Sequence, residues 1–158
     1  MISGTVYPIQ LLDKKRNNMS KHVLVPIADG SEELEAVTII DVLRRSGVEV
    51  TVAAVGALKD NKIIAAQGTK LIADCAIGDC TSTTWDLIAL PGGVSGSENL
   101  FANTVLDQLL RAQVARGGLY AAICAAPAVI LGQKGLLADK TATCHPKFYQ
   151  SLQAKEID

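Results

Sequence analysis

The stretch GLYAAICAAPAVIL, Gly118 to Leu131, sets one cysteine, Cys124, between a run that reads as a strand and a run that reads as a helix. A strand that turns abruptly into a helix leaves the first side chain of the turn standing over the strand ends, with the helix amides behind it facing the same spot. Such an elbow presents a nucleophile. Ala122, Ala125 and Ala126 supply the small neighbours that close packing of strand and helix demands. The positive end of the helix also favours a thiolate. By itself the string fits a buried packing residue as well, because free cysteine often serves as a small hydrophobe.

Two further residues bear on the choice. On a helical wheel Ala36, Ile39, Ile40, Val42 and Leu43 share one broad face, and Glu35 falls inside it, between Val42 and Ile39. Glu33 points away from that face, and Glu32 lies near the cap. A buried carboxyl keeps its proton, more so beside a thiolate, so Glu35 is placed to donate a hydrogen bond to sulfur. The alternative is a partly exposed first-turn glutamate favoured by the helix dipole. His145 precedes Pro146, which disfavours helix and puts the histidine in a loop. A lone histidine there is ordinarily a surface residue, but the other one, His22, opens the first strand at the far end.

These residues need a scaffold that brings them together. Apolar runs of four to eight residues alternate with longer amphipathic stretches, the pattern of βα units around a mainly parallel sheet. Strands are predicted at HVLVPI (22–27), VEVTVAAV (48–55), WDLIALPGG (85–93), LYAAI (119–123) and TATC (141–144), with KIIAAQ and KLIAD as a hairpin-like pair. Helices are predicted at about 31–46, 103–116 and 126–133. Asp29 and Glu32 stand at capping-box spacing before the first, and Gly47 closes it. In a parallel sheet the loops after the strands form a crevice. The Asp29-Gly30 turn, the Pro91-Gly92-Gly93 turn, Cys124 and His145 all follow predicted strands and are expected to meet.

Composition narrows the field. The chain has 158 residues, 49% of them apolar and 20% charged, enough for a core of its own in a single domain. A net charge of −1 with 4% aromatics speaks against nucleic acid as a partner. No apolar run reaches the roughly 18 residues that span a bilayer, so no membrane role is expected. Cys75, Cys80, Cys124 and Cys144 do not form a dense disulfide framework, and a reducing, cytoplasmic setting is expected. Cys75 and Cys80 lack a second ligand pair, which favours plain thiols over zinc. Residues 1–20 read as a poorly ordered extension, with the domain proper at 21–158.

ADGSEELEAVTIIDVLRRSGVEVTVA, DLIALPGG, AAICAAPAVIL and CHP, in this order and spacing, resemble the DJ-1/ThiJ/PfpI superfamily, most closely its DJ-1 and YajL-like branch. The resemblance covers about Lys21 to Gln150. It implies a flavodoxin-like three-layer α/β sandwich, a homodimer, and a reactive cysteine needing neither metal nor cofactor. By matching position, Cys124 is the nucleophile, Glu35 its protonated partner and His145 the nearby histidine. Amides around Gly92, Gly93 and Ala125 would form an oxyanion-type pocket. The implied activities are glyoxalase action on methylglyoxal, a small dicarbonyl, or deglycase action on glycated protein or nucleotide. A redox-sensing chaperone working through Cys124 is the alternative. Against the superfamily's pattern the chain ends early, short of a C-terminal strand and helix, so a truncated, non-catalytic member is a third reading.

Overall fold

The computed structural model describes residues 20–56 and 59–157; the segment read above as an extension lies outside them, apart from Ser20. Five parallel strands form the central sheet: β1 (His22–Ile27), β2 (Glu49–Ala54), β5 (Cys75–Ala76), β6 (Leu87–Leu90) and β7 (Leu119–Ala122), in the order β5-β2-β1-β6-β7. All four neighbouring pairs run parallel. The hairpin of β3 (Lys62–Ile64) and β4 (Lys70–Ile72) forms its own antiparallel sheet, as its paired runs predict.

Three layers follow from the period of two along the strands. In β1, Leu24 faces one core while Val23, Val25 and Ile27 face the other; in β6, Ile88 and Leu90 part from Ala89 in the same way. The first core is filled by Leu100 of α2 (Val94–Ala102), by Leu106 and Leu110 of α3 (Thr104–Ala115), and by Ile130 of a π-helical segment (Pro127–Gly132). Each such fully buried leucine or isoleucine stabilises the fold by about 1.5–3 kcal/mol. The second core is closed by Ala36 of α1 (Glu33–Arg45) and by Ile63 of β3. Buried Gln113 of α3 donates from Nε2 to the carbonyls of Trp85 and Leu119, holding the starts of β6 and β7 together.

Several expectations are revised by tertiary contacts. Asp29 does not cap α1: its Oδ1 accepts from the Ile64 amide at 2.7 Å, and Glu32 is the cap residue, accepting from the Glu35 amide at 2.8 Å. Val42 turns away from the core and is 57% exposed. Helix α2 carries no clear apolar period. It packs because Gly96 lets its backbone lie against Ser31, where a Cβ would stand 2.4 Å from the Ser31 Cα. The expected helix after Cys124 is wound as a π-helical turn, with the Gln133 amide reaching back five residues to Ala128 O at 3.3 Å. The TATC strand shrinks to β8 (Thr141–Ala142), which leaves the main sheet to pair with β9 (Glu156–Ile157). His145 therefore reaches the site from a separate small sheet.

Candidate active site

Cys124 stands two residues past the end of β7 and adopts φ 60°, a left-handed conformation that a residue with a side chain holds at a cost of about 1–3 kcal/mol. Three contacts maintain it. The Ile123 amide donates to Leu90 O, the Ala126 amide folds back to Ile123 O, and the His145 amide donates to Cys124 O at 2.8 Å. The chain on both sides of the cysteine is thus tied to β6 and to the loop that carries the histidine. Ala125 and Ala126 are fully buried where the turn enters the core, which accounts for the small residues that mark this string.

Glu35 arrives from the first turn of α1. Its Oε2 accepts from the Gly92 amide at 2.7 Å. A Cβ on Gly92 would stand 2.6 Å from both that oxygen and the Cys124 Cβ, so only glycine admits the carboxyl and the thiol side by side. Gly93 has φ 84°, and a Cβ there would stand 2.3 Å from Gly30 O. The Glu32 amide donates to Gly92 O, and Asn99 Nδ2 donates to Asp29 O, so the loops after β1 and β6 are knitted into one wall.

The Cys124 thiol is raised above the ordinary cysteine value. Burial is the largest cause, and the charge and hydrogen bond of Glu35 add to it; the Gly93 and Ala125 amides work in the opposite direction by bonding to sulfur. The expected helix-end stabilisation of a thiolate is therefore present as two amides and is outweighed by desolvation together with Glu35. A proton on that carboxyl converts it into a donor to sulfur.

Cys124, Glu35 and His145 line one cavity of about 320 Å³, together with Ala122, Ile123, Thr143 and Cys144. His145 is exposed, and its Nδ1 accepts from the Lys147 amide at 3.2 Å, which leaves Nε2 to carry the proton of the neutral ring. Among the described groups no hydrogen bond joins this imidazole to the Cys124 sulfur, so the histidine stands at the mouth of the cavity. Gly92 serves Glu35, while the amides of Gly93 and Ala125 face the sulfur. Cys144 was not singled out from sequence. It is buried in the cavity wall, and its thiol is raised first by burial and then by the charge of Cys124. Its place beside His145 in CHP was the available signal. Among the described residues no three His, Cys, Asp or Glu side chains are grouped to hold a metal ion.

A parallel α/β sandwich with a left-handed cysteine elbow, a carboxyl beside it and two amides on the sulfur is a flavodoxin-like protein of the cysteine-elbow class. The DJ-1/PfpI family matches residues 21–158, and the chain belongs to it. Protein DJ-1 homolog B of Arabidopsis thaliana is 45% identical over 140 residues, covering 87% of this chain and 31% of that protein. The chain spans about a third of the length of the two Arabidopsis relatives. The solved structure of oxidized Toxoplasma gondii DJ-1 superposes with a TM-score of 0.81 at 42% identity, covering 84% of this chain and 71% of that one. A protein of Caenorhabditis elegans named glutathione-independent glyoxalase DJR-1.2 is 37% identical over 123 residues, covering 78% of this chain and 62% of its own length. No helix among the described residues is long and apolar enough to cross a membrane.

Proposed function

We propose that the chain carries the catalytic site of a cofactor-independent glyoxalase that converts methylglyoxal and water to lactate, with deglycase action on glycated protein or nucleotide as a related use of the same thiol. The observation that carries this reading is the elbow cysteine flanked by Glu35 and two inward amides, opening on a cavity of about 320 Å³. The glyoxalase name of the worm relative supports it.

In the proposed reaction the Cys124 thiolate adds to the aldehyde carbon, forming a C–S bond and a hemithioacetal whose oxygen rests on the Gly93 and Ala125 amides. Glu35 or His145 takes the proton from that carbon and returns one to the adjacent carbonyl carbon, leaving a thioester of the hydroxy acid. Water cleaves the thioester and restores the thiol. Atoms balance without an external oxidant or reductant. A homodimer belongs to the same proposal, and the solution mass tests it.

Lactate formation from methylglyoxal without glutathione is the direct test. Cys124→Ser should lower it by at least about 10²-fold. A folded wild-type chain that makes no lactate overturns the reading. A second reading, redox sensing, has support from the oxidized form in which the Toxoplasma relative was solved. There, peroxide carries Cys124 to sulfenic and then sulfinic acid. Mass spectrometry after mild peroxide should then show oxygen added at Cys124 before any is added at Cys144.

A further inference from the structure

At the opposite edge of the sheet from Cys124, the outermost strand β5 begins with Cys75, and the 3₁₀ turn that follows it, Ile77–Cys80, ends with Cys80. The two sulfurs face each other at 3.6 Å. Asp79 Oδ2 accepts from the Ala76 amide, and Cys80 Sγ also faces Ala76 O, so the turn itself holds the thiols together. Cys75 is half-buried on the edge strand, while Cys80 is 2% exposed inside the core. We infer that Cys75 and Cys80 form a reversible intramolecular disulfide, a redox site separate from Cys124 and operated by hydroperoxides.

The two positions differ in the way such a pair requires. Cys80 is pushed up to about 12, first by burial and then by its hydrogen bond to Cys75, so it keeps its proton and Cys75 is the sulfur that oxidant meets. The Cys75 thiolate attacks a peroxide oxygen; the O–O bond breaks, giving a sulfenic acid on Cys75 and hydroxide. The Cys80 sulfur then attacks the Cys75 sulfur, the S–S bond forms, the S–O bond breaks, and the departing oxygen leaves as water with the proton of Cys80. Two thiols lose two electrons and two protons, and the peroxide is reduced to two waters. A dithiol reductant reverses the change. From 3.6 Å the sulfurs close by about 1.5 Å to reach bonding distance, a movement within reach of side-chain rotation on the edge strand.

A reporter stands beside the pair. Trp85, the one tryptophan of the chain, is buried and donates its indole N–H to Cys80 O at 3.2 Å. The test treats the purified full chain with hydrogen peroxide, alkylates the remaining thiols, and digests with trypsin without reduction. Cleavage after Lys70 and Arg111 yields one peptide that holds Cys75, Cys80 and no other cysteine. This peptide should lose both alkylation sites together and be two hydrogen masses lighter, and dithiothreitol should restore both. The change in Trp85 emission should follow the same time course, and Cys75→Ser should abolish both signals. The inference is overturned if Cys75 and Cys80 stay fully alkylatable while Cys124 is oxidised, if Cys75 gains oxygen without losing the Cys80 thiol, or if the peptide is found bridged to that of Cys124 or Cys144.

Discussion

Cys124 and Glu35 stand close enough that the carboxyl acts on the thiol. Burial is the largest cause that raises the thiol and the Glu35 charge adds to it, while the Gly93 and Ala125 amides lower it, so part of the rise comes from one carboxyl that can be replaced without changing its shape. Glu35→Gln removes the charge and leaves burial and the amides in place. The Cys124 thiol should therefore ionise at lower pH in the variant, and iodoacetamide alkylation of Cys124 near neutral pH should be faster than in wild type. The rate of alkylation against pH, read by mass spectrometry of the Cys124 peptide, checks this. An unchanged or raised midpoint would mean that Glu35 does not act on the thiol as an anion. What was legible of the site in the sequence were the residues with unusual surroundings: a cysteine between alanines, a glutamate on an apolar face, a glycine pair after a strand. Cys144 escaped notice because a buried cysteine looks like any small apolar residue until a cavity is found beside it.

Between elements, one ion pair joins α3 to the turn beyond the π-helical segment. Lys134 Nζ lies 2.9 Å from Asp107 Oδ1, donates to Phe101 O at 2.9 Å, and sits 4.4 Å from the centre of the Phe101 ring. Asp107 also pairs with Arg111 one turn on. The hydrogen bond from Lys134 is the main cause that holds the Asp107 carboxyl below its ordinary value. A carboxyl lowered in the folded state adds stability above its unfolded pKa and loses it as pH falls through the folded one. Lys134→Met keeps the apolar stem but removes the charge. It should cost about 1–2 kcal/mol at pH 7, with the difference from wild type shrinking as pH falls below about 4. Urea unfolding at several pH values measures both. Within the described residues, the elements themselves were readable where they carry a period: β1 over His22–Ile27 matches its predicted bounds, and α3 agrees with its predicted bounds to one residue at each end. Helix α2 was not readable, because it is held by Gly93 and Gly96 fitting against Gly30 and Ser31, contacts with no local signature.

The molecule as a whole has an apolar flank. β7 is the last strand of the central sheet among the described residues, Leu119 at its start and Ile123 just beyond its end are 68% and 48% exposed, and a hollow of about 630 Å³ runs beside it between Tyr120, Leu137 and Thr141. An edge strand with exposed apolar side chains is prone to pair with other chains. Leu119→Lys places a charge on that edge without touching either core. Light scattering on warming should show a later onset of aggregation, while the urea midpoint should move by no more than about 0.5 kcal/mol equivalent. A large loss of stability would show that Leu119 packs in solution. At this scale the alternation of apolar runs and amphipathic stretches was sufficient for a mainly parallel α/β sheet, because each strand of such a sheet must bury both faces and so reads as a continuous apolar run, while the flavodoxin-like class came from the family resemblance.

The sequence by itself pointed to the candidate residues and to the sheet edge they share, since an elbow after a strand and loops after parallel strands are written in local spacing. Only the tertiary structure decided how they act on one another. The left-handed Cys124, the Gly92 amide held by Glu35, His145 brought in from a separate small sheet, and the balance by which burial and Glu35 outweigh two amides at the thiol all depend on packing between segments far apart in the chain. Desolvation and close approach are properties of neighbours in space, and no spacing along the chain encodes their magnitude.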